Sequence, residues 1–166
     1  YVPKAHTPFQ WQLQDSIEDL DRKKKYLNAS RRKHIKISYH DSRTSFLEGV
    51  MARGDRRLAP VIYEAWELGC KFDGWSEYFR FDTWMEAFKQ LGVDPEFYIG
   101  RQRGYDEVLP WDFIDIGVSK EYLKHENEKA LRGETTPDCR MDGCVGCGIC
   151  QHFDCGLDIK FNPDEH

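Results

Sequence analysis

Five of the six cysteines of this chain fall in one short run near its C-terminus, and that run constrains the fold more than any other feature. It reads Cys139-Arg-Met-Asp-Gly-Cys144-Val-Gly-Cys147-Gly-Ile-Cys150-Gln-His-Phe-Asp-Cys155, with four, two, two and four residues between successive cysteines. A disulfide framework spreads its cysteines through the chain. A cluster this dense, with no secretion signal ahead of it, fits metal binding in a reducing, cytoplasmic setting. Two intervening residues let a tight turn aim two sulfurs at one centre, and Gly143, Gly146 and Gly148 give the backbone freedom to fold around it. Four thiolates suit either a zinc ion or an iron–sulfur cluster. The run Cys144, Cys147, Cys150 has ferredoxin-type spacing, without the proline that follows it there, and takes its fourth thiolate from Cys139 or Cys155. His152 is an outside contender. Cys70 lies among apolar residues at a helix end and reads as a small buried side chain.

The rest of the chain predicts a mainly α protein with a small β component. Apolar residues make up 40% of it, enough for a core. The net charge of −5 argues against non-specific nucleic-acid binding through bulk charge and leaves only a local patch. No apolar run is long enough to span a membrane. The absence of an initiator Met gives the expectation of a fragment of a longer protein. Residues 1–14 are Pro-broken and extended. A helix capped by Asp15 or Ser16 follows, with Ile17, Leu20, Lys24 and Leu27 at helical spacing and a charged, solvated opposite face. The alternation in Ile35-Lys36-Ile37-Ser38-Tyr39 predicts a strand, whose partner lies near residues 1–5 or outside the chain. Three further helices are expected: from Ser45 to Gly54 (Phe46, Leu47, Val50, Met51), from Asp55 to Gly69 (Leu58, Val61, Ile62, Ala65, Trp66, Leu68), and from Asp82 to Gly92 (Trp84, Met85, Phe88, Leu91). A short turn of helix opens at Asp94-Pro95. Residues 101–115 read as loop, and Ser119 caps a last helix that Gly133 stops.

Several segments together resemble one family. Val2-Pro3-Lys4-Ala5-His6-Thr7-Pro8-Phe9-Gln10-Trp11 is similar to the segment near the end of the catalytic barrel in radical SAM enzymes that carry a cobalamin-binding domain. The stretches 46–50, 52–58, 72–77 and Leu109-Pro110-Trp111-Asp112, and the tail from Thr135 through Cys139, Cys144, Cys147 and Cys150, match a subfamily of those proteins. Cys155 stands as an extra. The resemblance implies a C-terminal portion of such an enzyme: the remnant of a (β/α) barrel edge at 1–41, a helical domain at 42–133, and a Cys-rich metal knuckle at 134–166. It also implies that reductive cleavage of S-adenosylmethionine by a [4Fe–4S] cluster, with cobalamin as a further cofactor, belongs to a preceding barrel of the same polypeptide. This sequence has no CxxxCxxC, so no catalysis is expected of it alone. The expected contribution is an auxiliary iron–sulfur or zinc site and contacts to a substrate.

Other candidate sites weigh less. Arg53, Arg56 and Arg57 near a helix start suit a phosphate or RNA backbone, against the reading of a capped helix whose Asp55 pairs with a neighbouring arginine. His6, between two prolines, faces an active site or holds a loop. The aromatic stretch 72–79 reads as core packing before it reads as a stacking surface. His40, Asp41 and Glu48 show no diagnostic pairing. The alternative for the whole chain is a non-catalytic helical module with a zinc knuckle that recognises RNA or protein.

Overall fold

The computed structural model describes residues 1–154, and Cys155 lies outside the described residues. The chain is mainly α. Eight helices are formed among the described residues: α1 (Ile17–Ala29), α2 (Ser42–Arg53), α3 (Leu58–Glu67), α4 (Phe81–Gln90), α5 (Glu96–Ile99), α6 (Lys120–Leu131), α7 (Cys139–Asp142) and α8 (Ile149–His152). None is long and apolar enough to cross a membrane.

Local chemistry sets the helix starts. Ser16 accepts from the Asp19 N–H at the start of α1, and Ser119 accepts from the Tyr122 N–H at the start of α6. Each satisfies a donor that the first helical turn leaves without a partner. Asp41, read from sequence only as an acid–base candidate without a partner, instead caps α2. Its Oδ1 accepts from the N–H groups of Arg43 and Thr44, so α2 begins three residues ahead of the expected Ser45.

The expected strand at 35–39 is not formed, and no strand occurs among the described residues. A strand persists only if a neighbour takes up its ladder hydrogen bonds. Here the Ile35 N–H closes a turn on the Arg32 carbonyl, and the Ile35 carbonyl accepts from Arg31 Nε. Ile35 and Tyr39 are about half exposed.

The described residues divide into two compact units. One comprises residues 1–4 and 12–103, the other residues 5–11 and the chain from Gly104 on. The first unit packs Phe46, Leu47 and Val50 of α2, Leu58, Val61 and Ala65 of α3, Trp84, Ala87 and Phe88 of α4, and Tyr98 and Ile99 of α5 around Cys70. Burying a side chain such as Phe88 contributes a few kcal/mol, about 3–5 on truncation to Ala. The α3 stripe is narrower than expected. Val61 and Ala65 are fully buried, while Ile62, Trp66 and Leu68 face water, because a helix against one layer buries only one side. Leu91, at the C-cap of α4, is exposed for the same reason.

The aromatic stretch is core only at Phe79. Phe72, Trp75 and Tyr78 are each more than half exposed and pack on one another. Residues 72–79 run as successive turns, with Trp75 N–H on the Phe72 carbonyl and Tyr78 N–H on the Trp75 carbonyl. Such a path presents one side to the core, and Phe79 supplies it, followed by Phe81 at the start of α4.

The second unit is built on Trp11, Leu109, Trp111 and Leu123. Trp11 meets Tyr105 edge-on at 4.9 Å between ring centres, in the T-shaped arrangement aromatic quadrupoles favour. Gln10, almost fully buried, accepts from Trp111 Nε1 at 2.6 Å. Residues 5–11 are thereby tied to the C-terminal chain by an indole and an amide about a hundred residues apart, a link no local pattern announces.

Candidate metal centre

The cysteine run sits against the start of α6. Asp138 caps α7, and its carboxylate grips the Arg140 guanidinium and N–H. The hydrogen bond from the Arg140 side chain, above all, holds the Asp138 carboxyl down at about 2. Cys139 is the first residue of α7. After Gly143 the chain enters the Cys144–Cys147 turn. There Gly146 takes a left-handed φ of 75° and donates its N–H to Cys144 Sγ at 3.4 Å.

Two glycines let this turn lie close to its platform. A Cβ on Gly148 would stand 3.0 Å from the Gly117 carbonyl, and one on Gly117 would stand 2.7 Å from the Phe153 ring. Both have positive φ, which a side chain would strain. The Cys147 carbonyl accepts from the Ser119 N–H at 3.0 Å, so the cap residue of α6 also anchors the cysteine run. Cys150 lies on α8. His152, on the same helix, is turned to Asp115, with Nδ1 3.6 Å from Oδ2, and its ring stands edge-on to Phe153. Successive helix positions turn by about 100°, so Cys150 and His152, two residues apart, project to opposite sides.

Tyr122, one turn into α6, belongs to the same neighbourhood. Burial raises its phenol pKa, and the negative charges of Glu126, Cys147 and Cys139 raise it further. Thr136, just before the run, is held at 2.7 Å by a carboxylate oxygen of Glu126, which also meets Lys129 Nζ at 3.4 Å.

The donor set suits a metal: Cys139, Cys144, Cys147 and Cys150 are sulfur ligands on one short segment, none is joined in a disulfide, and none is fully buried. Among the described residues, no three His, Cys, Asp or Glu side chains are grouped closely enough to hold an ion. The fifth expected ligand, Cys155, lies outside them.

The other expected site residues are dispersed. Arg53 is fully buried. It donates from Nε to the Tyr98 carbonyl (3.1 Å) and from Nη1 to the Gln12 carbonyl (2.6 Å). Arg57 pairs with Asp55, Nη2 to Oδ2 at 2.7 Å, and lies over the Phe97 and Tyr98 rings. Arg56 is exposed. The three guanidiniums therefore do not form one anion cradle; Asp55 instead pairs with Arg57 and accepts its N–H in a turn, while α3 begins after Arg57 without a side-chain cap, so the helix cap expected of Asp55 is not formed. His6 belongs to the second unit, with Cys139–Cys150, and lines a cavity there.

Sequence reasoning missed Arg103, 3% exposed, whose Nη2 donates to the carbonyls of Arg53 and Tyr98. It also missed the platform of Gly117 and Ser119. Nothing in a charged residue on a loop marks it as buried, whereas a glycine two residues ahead of a helix cap was a signal available to be read. No protein-family model matches the chain, and neither the curated proteins nor the solved structures hold a match to it.

Proposed function

We propose that the segment beginning at Cys139 is a thiolate-ligated metal module, with Cys139, Cys144, Cys147 and Cys150 as the ligands of an iron–sulfur cluster or a zinc ion, and Cys155 as a further donor. The observation that carries this reading is the Cys144–Cys147 turn, with its left-handed Gly146 and the Gly146 N–H on Cys144 Sγ. That turn supports the reading because its backbone, left-handed at Gly146, bends the chain between two cysteines of the set. Metal binding is coupled to folding, so a bound ion would be held by Cys139, Cys144, Cys147 and Cys150 drawn together around it. A zinc ion supplies a structural cross-link there, and a cluster supplies a one-electron centre. The protein's own part is to seat the turn on Gly117 and Ser119.

The resemblance of residues 2–11 and of the cysteine tail supports a wider reading. The chain is the C-terminal part of a cobalamin-dependent radical SAM enzyme, residues 2–11 closing the edge of its barrel and the cysteine module serving as an auxiliary site. Cleavage of S-adenosylmethionine then belongs to the preceding barrel. No catalytic activity is expected of the chain by itself.

Anaerobic purification followed by an absorption spectrum and iron, sulfide and zinc analysis tests the module. Broad visible absorption with matching iron and sulfide identifies a cluster. Colourless protein with stoichiometric zinc identifies a structural knuckle and moves weight to recognition of RNA or protein. Protein that retains neither metal overturns the reading.

A further inference from the structure

His6 carries two features that cost stability. Its backbone is left-handed, with φ 53°, an uncommon conformation for a residue with a side chain. Its Nε2 is buried and makes no hydrogen bond among the described residues. A buried polar atom without a partner calls for an explanation. The His6 backbone N–H, at 3.2 Å from Gln10 Oε1, is well satisfied, so the cost falls on the ring.

The same imidazole lines a cavity of about 330 Å³ within the second unit. That volume lies at the lower end of small-molecule sites, which run from about 300 to 1,000 Å³. Ile116, Val118 and Leu123 give it an apolar lining, and Asp112, Asp115 and Lys120 a polar one. Lys120 Nζ is 2.7 Å from Asp112 Oδ2, so that pair is neutral and Asp115 leaves the cavity with an excess negative charge. An anionic ligand is disfavoured by that sign.

We propose that this cavity binds a small, neutral, hydroxyl-bearing ring compound, one hydroxyl of which hydrogen-bonds His6 Nε2. A hydroxyl both donates and accepts, so it satisfies the imidazole in either tautomer. The Asp112–Lys120 pair offers an acceptor and a donor side by side for a second hydroxyl, and the apolar side chains receive the ring. The proposal goes beyond the metal reading and does not depend on it.

The test is saturation transfer from the full-length chain to the protons of dissolved probes, titrated to saturation. Ribose and catechol are the hydroxylated probes, one a sugar and one a phenol, and benzoate is the anionic control. The expected result is saturable transfer to at least one hydroxylated probe and none to benzoate. In His6→Gly, binding weakens by at least about fivefold, the loss of one hydrogen bond. The melting temperature of that variant holds or rises, because glycine takes the left-handed backbone without strain. His6→Asn, which also tolerates that conformation, provides a second reading of stability. No saturable transfer to either hydroxylated probe overturns the proposal. So does undiminished transfer in His6→Gly, and so does a lowered melting temperature in both variants, which would assign His6 a structural role.

Discussion

Arg53 and Arg103 are two buried cations with backbone carbonyls around them. Arg53 donates to the carbonyls of Tyr98 and Gln12, and Arg103 donates to those of Arg53 and Tyr98. Charge-assisted bonds of this kind are stronger than neutral ones; removing Arg53 takes the donor from the Gln12 carbonyl and leaves the Tyr98 carbonyl with Arg103 alone of the two guanidiniums. Arg53→Met is therefore expected to cost about 3 kcal/mol, read as a lower denaturation midpoint. An unchanged midpoint would mean that the carbonyls find other donors. Asp55 gives a pH signature. The Arg57 side-chain hydrogen bond, above all, lowers its carboxyl from 3.8 to about 2. A depressed folded-state pKa stabilises the protein above the unfolded value, and the contribution is lost as pH falls through the folded one. The melting temperature of the native chain should thus exceed that of Asp55→Asn at neutral pH. The gap should close between about pH 4 and pH 2. A gap that stays constant over that range would contradict the pairing.

At the scale of elements, Gly49 of α2 separates propensity from packing. Alanine favours a helix interior over glycine by roughly 0.5–1 kcal/mol. Yet a Cβ on Gly49 would stand 2.0 Å from Oε1 and 2.8 Å from Cδ of Gln14. Gln14 is buried, and its Nε2 holds the Ser45 carbonyl at 2.9 Å. Gly49→Ala is expected to destabilise by about 1–2 kcal/mol, measured by chemical denaturation, because the amide must move out of its hydrogen bond. A stabilised variant would mean that Gln14 moves aside freely. The helices themselves were legible. Ser16 and Ser119 announce their caps, and Gly54, Gly69 and Gly92 fall just past the periodic apolar runs that α2, α3 and α4 bury. What was illegible depended on partners. The alternation at 35–39 is a strand pattern, but the pattern cannot say whether a neighbouring strand exists. The width of the α3 stripe likewise depends on how many layers cover it.

On the scale of the whole molecule, the division into two units brings His6, Ser119 and the cysteine run into one body and leaves Arg53, Arg56 and Arg57 in the other. The spacing of the cysteines was readable in advance, and so was the need for glycine beside them. The platform of Gly117 and Ser119 beneath the run was legible only as a tight turn ahead of a helix cap; its pairing with the run was not, because it lies about thirty residues upstream and its residues carry no metal chemistry. The proposed ligand set is Cys139, Cys144, Cys147 and Cys150. Cys70, buried in the core of the first unit with burial raising its thiol pKa, takes no part. The most direct measurement is the bound iron, sulfide and zinc of the native chain and of five single Cys→Ser variants, at 70, 139, 144, 147 and 150, purified side by side without oxygen. The four tail variants are each expected to lose most of the metal, while Cys70→Ser keeps it. Equal metal content in all five, or loss in Cys70→Ser alone, would contradict the proposed set.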